Sequence, residues 1–311
     1  MVVKVAMARV AAIDCGTNSI RLLIADVTDQ GMREVFRDME IVRLGEDVDT
    51  TGRFKEEAVE RTLAVVARYR DEMRRRGVER MRFCATSATR DASNREIFIS
   101  GVEALLGITP EVIPGVEEAG LSFLGATALL PASDGPFLVV DIGGGSTEFV
   151  FGSDSVESAI SVDIGCVRMH ERHLRSSPVE RIELEAAITD IDAAIASAAR
   201  EVPIQNAKTL IAVAGTATTV AAAALELDSY DRYAIHLSRI PAPEVHRIAH
   251  FFQNSSREAI ASLGYMHPGR VDVITAGALV LSRVMLATGA DSFVASEADI
   301  LDGIAIRLGG Q

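Results

Sequence analysis

The chain has 311 residues, which is enough for about two domains. Apolar residues make up 48% of it and charged residues 24%, as in an ordinary globular protein. The net charge of −13 argues against a general nucleic-acid binder, because lysine and arginine supply most of the affinity for a phosphate backbone. A polyanionic ligand would therefore need a local positive site.

Cysteine usage and the apolar stretches favour a cytoplasmic protein without a membrane partner. Cys15, Cys84 and Cys166 are scattered, and no C-x-x-C pair indicates a metal centre. We expect each thiol to be buried as a small apolar side chain in a reducing compartment. Residues 1–10 lack the cleavage region of a signal peptide, and the longest apolar stretch, 210–225, is too short to span a membrane.

The N-terminal part of the chain alternates predicted strands and helices. We expect strands at 8–14, 20–27, 34–44, 80–85 and 111–113, and helices at 54–76, 96–106 and 117–130. Segment 131–136, Pro-Ala-Ser-Asp-Gly-Pro, has the composition of a linker. The predicted domains are therefore 1–130 and 137–311, with the last helix able to pack back on the first domain.

The same alternation begins again after the linker. We expect strands at 137–141, 147–151, 158–163 and 209–214, helices at 166–174, 179–199 and 217–225, and a mostly helical segment at 241–308. Strands that alternate with helices in this way favour an α/β fold with helices on the sheet faces.

An internal repeat predicts the architecture. Segments 10–19, VAAIDCGTNS, and 138–146, LVVDIGGGS, share an apolar strand, an Asp, a Gly two residues later and a Ser five residues later. Two copies of one unit facing each other would enclose a cleft, which is a usual ligand site.

The two Asp-x-Gly turns indicate phosphate and metal chemistry. An Asp at a strand end can coordinate a metal, glycines let backbone N–H groups approach phosphate oxygens, and hydroxyls add donors. One such turn alone is as readily a plain hairpin turn as a binding site. Two of them in register, one domain apart, are hard to explain as plain turns.

Several motifs resemble the exopolyphosphatase and guanosine pentaphosphate phosphatase (Ppx/GppA) family. They lie at 14–19 (DCGTNS), 86–91 (TSATRD), 114–119 (PGVEEA), 141–148 (DIGGGSTE) and 214–219 (AGTATT). The resemblance runs nearly end to end. It implies two actin-like (ribonuclease H-like) ATPase-fold domains flanking an interlobe cleft, and a homodimer. Longer family members carry a further helical domain, and without it we expect short substrates.

The resemblance implies that Glu118 is the general base, which activates a water for attack on the terminal phosphorus. The residues alone leave an alternative, because Glu117 and Glu118 also suit the N-terminal turn of a helix. The family often has an Arg two residues after this Glu, and here the position is Gly120. A cation that steers phosphate would then come from elsewhere in the chain.

The same resemblance implies a metal and a phosphate site. Mg²⁺ (or Mn²⁺) would be held by Asp14, Asp141 and Glu148, in keeping with its preference for a few carboxylates, waters and substrate oxygens. Glu148 could instead be a surface strand residue. Phosphate would be bound by Arg90 and by the three glycine turns, that is by Gly16, Thr17, Asn18, Ser19, Gly143, Gly144, Gly145, Ser146, Gly215 and Thr216.

Other basic residues have open roles. Arg21 is a second candidate phosphate clamp, or it points outward from a strand. An arginine-rich stretch at 68–82 is a substrate patch or, more simply, a solvated helix face. His170 and His173 lack an evident third metal ligand, and His236, Arg239, His267 and Arg270 are candidates to line the second lobe.

The expected function is an exopolyphosphatase that releases terminal orthophosphate from inorganic polyphosphate. Phosphoryl transfer needs mainly positioning and charge stabilisation, which these residues can supply. Guanosine pentaphosphate is the alternative substrate at the same site. A nucleotide-binding module or kinase of the same superfamily is the alternative class, but such proteins lack the Glu-Glu-Ala segment and the 141–148 turn in this form.

Overall fold

The computed structural model describes residues 8–28 and 31–310. The predicted alternation of strands and helices is present along most of this range. The strands are β1 (Ala8–Cys15), β2 (Ser19–Thr28), β3 (Gly31–Ile41), β4 (Arg80–Ala85), β5 (Glu111–Val112), β6 (Phe137–Ile142), β7 (Thr147–Gly152), β8 (Val156–Val162), β9 (Thr209–Val213), β10 (Arg239–Pro241) and β11 (Ser292–Ala295).

Helices connect and cover these strands. None of the helices in the described part of the chain is long and apolar enough to cross a membrane. They are α1 (Val48–Thr51), α2 (Glu56–Arg75), α3 (Ser87–Asp91), α4 (Glu96–Leu106), α5 (Gly115–Thr127), α6 (Cys166–Arg172), α7 (Arg181–Glu201), α8 (Ala214–Ala224), α9 (Arg232–Ile235), α10 (Ala242–Asn254), α11 (Arg257–Ala261), α12 (Ile274–Thr288) and α13 (Ile300–Gly309).

The internal repeat is a repeat of topology. The first sheet has five strands in the order β3-β2-β1-β4-β5, and the second has six in the order β10-β11-β9-β6-β7-β8. In each, an antiparallel three-strand meander that begins with the Asp-x-Gly strand is extended by two parallel strands, and in the second sheet β10 then adds an antiparallel edge strand. The order β3-β2-β1-β4-β5 therefore recurs as β8-β7-β6-β9-β11.

The segment 241–308 is mostly helical, as expected, but it also contains one strand, β11, that was not expected. β11 lies between β10 and β9 in the second sheet and pairs in parallel with β9. It has only four residues, Ser-Phe-Val-Ala, and an apolar run of this length has no period that separates a buried strand from a helix.

Internal contacts divide the chain into a first unit, Met1–Gly125 with Ile300–Gln311, and a second unit, Ala126–Asp299. In the first unit α13 packs on the sheet, where Ile300, Leu301 and Ile304 share a buried apolar cluster with Val10 and Leu121. Its Asp302 accepts a 2.6 Å hydrogen bond from Arg37 on β3. The first unit is thus built from two separated parts of the sequence.

Two glycines at the contact between α5 and α13 should respond in opposite ways to alanine. A Cβ on Gly303 would fall within 3.0 Å of the Leu121 backbone, whereas a Cβ on Gly120 meets only the end of Arg307, at 3.9 Å. We expect Gly303→Ala to destabilise by about 1–3 kcal/mol through overpacking. Gly120→Ala should stabilise by about 0.4–1 kcal/mol by restricting the unfolded chain. Thermal unfolding of both variants checks this, and equal midpoints would contradict it.

Candidate active site

The two Asp-x-Gly turns are closed by the same backbone hydrogen bond. The N–H of Gly16 donates to Ser19 O at 3.0 Å, and the N–H of Gly143 donates to Ser146 O, also at 3.0 Å. Within residues 8–28 and 31–310, nothing accepts a hydrogen bond from the backbone N–H of the two residues between, which are Thr17 and Asn18 in the first turn and Gly144 and Gly145 in the second. Each turn thus presents two adjacent N–H donors, an arrangement suited to an anion.

Segment 42–45, which follows β3, holds the first turn in this geometry. The N–H groups of Val42 and Arg43 donate to Asn18 O at 3.0 and 2.9 Å, and the N–H of Gly45 donates to Thr17 O at 2.9 Å. A Cβ on Gly45 would lie within 3.0 Å of the side chains of Thr17 and Ala88. The segment therefore occupies the carbonyls of the turn, and no backbone acceptor within residues 8–28 and 31–310 takes the N–H groups of Thr17 and Asn18.

The start of α6, which follows β8, does the same for the second turn. The N–H groups of residues 165–168 donate to the carbonyls of Gly143, Gly144 and Gly145 at 2.9–3.1 Å. Nε of the buried Arg168 also donates to Gly145 O, at 2.7 Å. A Cβ on Gly165 would fall within 3.0 Å of backbone atoms of Gly144 and Gly145. Both turns are therefore fixed through their carbonyl side by a glycine-bearing segment after the third strand of the meander.

The third glycine turn joins β9 to α8. Its first residue, Ala214, has φ 65°, in the left-handed region that favours glycine. Arg270 lies over Gly215, and a Cβ on Gly215 would be within 3.0 Å of the Arg270 guanidinium. Nη1 of Arg270 donates to Gly215 O at 3.3 Å and to Thr219 Oγ1 at 3.2 Å. Arg270 thus places a cation at this turn, where Gly215 and Thr216 are the predicted phosphate ligands.

Glu118 lies in the first turn of α5 and is paired with Arg90. Arg90 Nη1 donates to Glu118 Oε2 at 2.7 Å and to Ile113 O at 2.9 Å. Arg90 belongs to α3, whose Ser87 Oγ lies 2.9 Å from Thr17 Oγ1 in the first glycine turn. The structure therefore links the predicted base, the predicted phosphate arginine and the first turn within one unit.

The neighbouring Glu117 has a different environment. It is partly exposed and accepts a 2.5 Å hydrogen bond from Arg82, which also pairs with Glu111. The two glutamates of the Glu-Glu pair are thus held by separate arginines. This separation offers a matched pair of positions for mutagenesis.

The predicted metal carboxylates are buried, and they differ in their partners. Asp141 and Glu148 are directly opposite each other in the β6–β7 ladder, and are 5% and 1% exposed. Glu148 Oε1 accepts 2.7 Å hydrogen bonds from Ser146 and Ser161, which excludes the surface-strand alternative. Among residues 8–28 and 31–310, no three His, Cys, Asp or Glu side chains form a group that could hold a metal.

Asp14, the third predicted metal ligand, is ion-paired with Arg21. Nε and Nη2 of Arg21 both lie close to Asp14 Oδ2, at 3.0 and 2.6 Å. Arg21 is only 18% exposed, which excludes the alternative that it points outward from the strand. Its guanidinium is directed at a carboxylate of its own unit.

The arginine-rich stretch at 68–82 is largely neutralised by neighbouring carboxylates. Glu72 accepts hydrogen bonds from Arg75 and Arg76, and Arg68 pairs with Glu40 at 2.5 Å. The stretch therefore fits the simpler of the two alternatives, a solvated helix face, rather than a substrate patch. His173, which follows α6, lies 2.9 Å from Asp190, and Asp190 also pairs with Arg172.

The cysteines are buried, as expected, and should be unreactive. Burial raises the pKa of Cys84 to about 12 and that of Cys166 to about 11, and it raises the pKa of Cys15 as well. The nucleophilic thiolate is therefore scarce at pH 8. We expect iodoacetamide to leave the native chain unmodified and to alkylate all three thiols in urea, as measured by intact mass. Rapid labelling of the folded chain would contradict this.

Sequence reasoning singled out the glycine turns and Glu118, but it missed the residues that hold the turns in place. Gly45 and Gly165 carried no motif of their own. Their position in the repeat could have identified them, since each glycine follows the third strand of a meander whose first strand ends in Asp-x-Gly. Arg270 was a candidate to line the second lobe, and the structure places it on the carbonyl of the third glycine turn, as it places Arg168 on a carbonyl of the second.

Comparison with known proteins agrees with this fold. Exopolyphosphatase 2 of Mycobacterium tuberculosis (strain CDC 1551 / Oshkosh) is 45% identical over 318 residues, covering 98% of this chain and 100% of that protein. The crystal structure of an exopolyphosphatase-like protein is 44% identical, covers 98% of both chains and has a TM-score of 0.94. The Aquifex aeolicus PPX-GPPA enzyme is 29% identical, with a TM-score of 0.82 over 97% of this chain and 100% of that chain.

These likenesses confirm the predicted fold class of two actin-like α/β domains. The sequence profile of the Ppx/GppA phosphatase family matches residues 23–308, which is most of the chain. The chain therefore belongs to the Ppx/GppA phosphatase family.

Proposed function

We propose that the chain is an exopolyphosphatase that releases terminal orthophosphate from inorganic polyphosphate. The observation that carries the proposal is the second glycine turn. There, the N–H groups of Gly144 and Gly145 are directed away from the bonded carbonyl side, and the buried carboxylates of Asp141 and Glu148 lie on the strands that flank the turn. Anion donors next to cation ligands suit a phosphate that is bound together with its metal.

The donor set fits Mg²⁺ or Mn²⁺. Mg²⁺ is bound through one or two carboxylates, several waters and substrate phosphate, so Asp141 and Glu148 suffice as protein ligands. The hydroxyls of Ser146 and Ser161 fix the Glu148 carboxylate by donating to its Oε1. When bound, the metal would offset negative charge on the phosphoryl oxygens.

The chain's own residues supply the remaining steps. Glu118 takes a proton from water, and the water oxygen forms a bond to the terminal phosphorus as the bond to the bridging oxygen breaks. Arg90 donates to Glu118 Oε2 and to Ile113 O, and so fixes the carboxylate. N–H groups of the glycine turns hold the phosphoryl oxygens. The products are orthophosphate and a chain shortened by one phosphate.

An orthophosphate assay tests the proposal. The chain is incubated with short and long polyphosphate, guanosine pentaphosphate or ATP, each with Mg²⁺, Mn²⁺ or excess EDTA. We expect the fastest release from polyphosphate, faster for short chains, and none in EDTA. Release from guanosine pentaphosphate alone would reassign the substrate. Absence of release together with ATP binding would indicate a nucleotide-binding protein instead. A cytoplasmic location and a homodimer stay predictions.

A further inference from the structure

Helix α3 begins beside the first glycine turn because β4, the strand that leads into it, runs parallel to β1. Cys15 and Ala85 are partners at the ends of these two strands, and the N–H of Thr86 continues the pairing by donating to Cys15 O at 3.1 Å. Parallel neighbours that stop together bring the residues that follow them to the same edge of the sheet. The turn after β1 and the helix after β4 are therefore in contact.

Two buried hydroxyls make this contact. Thr17 Oγ1 in the turn lies 2.9 Å from Oγ of Ser87, the first residue of α3, and the two residues are only 6% and 4% exposed. Neither hydroxyl bonds to any other group within residues 8–28 and 31–310. Since each hydroxyl carries one proton, one proton makes this bond and the second can be donated to a ligand of the turn.

Gly45 holds the Thr17 side chain toward Ser87 from the opposite side. A Cβ on Gly45 would lie 2.4 Å from Thr17 Cγ2 and 2.9 Å from Ala88 Cβ, so the Gly45 backbone packs closely against both the turn and α3. A threonine is stiff about χ1 because it is branched at Cβ. A displacement of the first turn is therefore passed on to α3 through the Thr17 side chain.

The other end of α3 holds the predicted general base. The N–H groups of Thr89 and Arg90 both donate to Thr86 O at 3.0 Å, so Ser87 and Arg90 belong to one hydrogen-bonded helical turn. Arg90 Nη1 in turn donates to Glu118 Oε2 at 2.7 Å. One series of contacts thus runs from the first glycine turn through Ser87 and Arg90 to Glu118.

We propose that Ser87 is a positioning residue that couples phosphate binding at the first turn to the placement of Glu118. The inference rests on the proposed function and deepens it. A phosphoryl oxygen bound by the N–H groups of Thr17 and Asn18 fixes the Thr17 side chain, and Ser87 donates its proton to Thr17 Oγ1. The hydroxyl pair then fixes α3, and Arg90 on α3 fixes the Glu118 carboxylate. Ser87 itself touches neither the substrate nor the attacking water.

Orthophosphate release by variants of the hydroxyl pair tests the coupling. Thr17→Val removes the hydroxyl and keeps the branched shape, Thr17→Ser does the reverse, and Ser87→Ala removes the partner. We expect kcat to fall about tenfold in Thr17→Val, in Ser87→Ala and in the double variant, because all three lose the same hydrogen bond. Thr17→Ser should stay within about twofold of the wild type. A fall of about 100-fold in the double variant, or normal kcat in Ser87→Ala alone, would overturn the inference.

Thr62→Val is the matched control for Thr17→Val. Thr62 lies on α2 in the same unit, is fully buried, and donates its hydroxyl proton to Ala58 O at 2.7 Å. It contacts neither the turn nor α3 through a hydrogen bond, so kcat should be unchanged. A tenfold fall in Thr62→Val would mean that loss of any buried hydroxyl in this unit lowers the rate, against a specific role for the Thr17–Ser87 pair.

A second cycle asks whether Ser87 acts through the base. In Glu118→Gln the base is absent, so adding Ser87→Ala should change the remaining rate by less than about twofold. A structural defect unrelated to Glu118 would lower the rate equally in both backgrounds. A further tenfold fall in the Glu118→Gln background would therefore contradict the proposed coupling.

Amide hydrogen exchange gives a readout that does not depend on turnover. Imidodiphosphate, whose bridging nitrogen resists hydrolysis, is added to the wild type and to Ser87→Ala, or to Thr17→Val if Ser87→Ala does not fold. We expect slower exchange at residues 16–19 and 86–92 in the wild type, but only at 16–19 in the variant. Equal slowing at 86–92 in both proteins would refute the coupling. No slowing at 16–19 in a wild type that also releases no orthophosphate would refute the proposed function instead.

Discussion

Glu118→Gln should lower kcat for phosphate release by about 100- to 10,000-fold, which is the usual contribution of a positioned general base. The amide keeps the size of the side chain and can still accept the hydrogen bond that Arg90 donates to Oε2. It cannot accept a proton from water. We therefore expect the loss to appear in kcat, with KM and the unfolding temperature nearly unchanged. Steady-state orthophosphate release and thermal unfolding measure these quantities.

Glu117→Gln is the matched control for this substitution. Glu117 is the adjacent residue on the same helix turn, but its partner is Arg82, which also pairs with Glu111. Losing one carboxylate from this partly exposed network should cost no more than about 1 kcal/mol of stability. A comparable fall in kcat for Glu117→Gln, or full activity in Glu118→Gln, would remove Glu118 from its assigned role.

Gly165→Ala should disrupt the second glycine turn although it adds only one methyl group. The new Cβ would come within 3.0 Å of backbone atoms of Gly144 and Gly145. Backbone cannot move aside as the end of a flexible side chain can, so the turn itself must shift. Overpacking of this kind typically costs about 1–3 kcal/mol. A displacement near 1 Å of phosphate-binding groups can lower the rate about 100-fold.

We expect kcat/KM for polyphosphate to fall by about that factor in Gly165→Ala, and the unfolding midpoint to fall as well. Gly120→Ala is the control, since its Cβ has space and the exchange is again glycine for alanine. Loss of activity in Gly165→Ala without loss of stability would mean that the turn moves while the core stays intact. Wild-type kinetics in Gly165→Ala would contradict the role given to residues 165–168.

The architecture was largely predictable because the repeat is local. Asp14 and Asp141 each end an apolar strand segment and precede glycines, so a repeated strand and turn could be predicted from the sequence. β11 could not, because its four residues are positioned by pairing with β9, which is distant in sequence. The membership of α13 in the first unit likewise depends on packing against residues such as Val10 and Leu121.

Most residues of the candidate site could be predicted from the sequence. The side chains and backbone groups that they contact could not. Motifs identified Glu118, Arg90 and the turns, but ion pairs form across strands and helices. Arg21 is an example, because nothing near it in sequence indicates that its guanidinium binds Asp14 across the hairpin. Gly45 and Gly165 are a second example, since the need for glycine arises only from the close approach of another segment.

The discontinuous first unit has a consequence for synthesis on the ribosome. Its apolar face, which includes Val10 and Leu23, is covered by Leu301 and Ile304 of α13. Domains usually fold in order from the N-terminus as the chain emerges. Here the second unit, continuous from Ala126 to Asp299, is complete before α13 has been translated. The apolar face of the nascent first unit therefore stays exposed to solvent until α13 is made, and the unit completes its fold when α13 packs on that face.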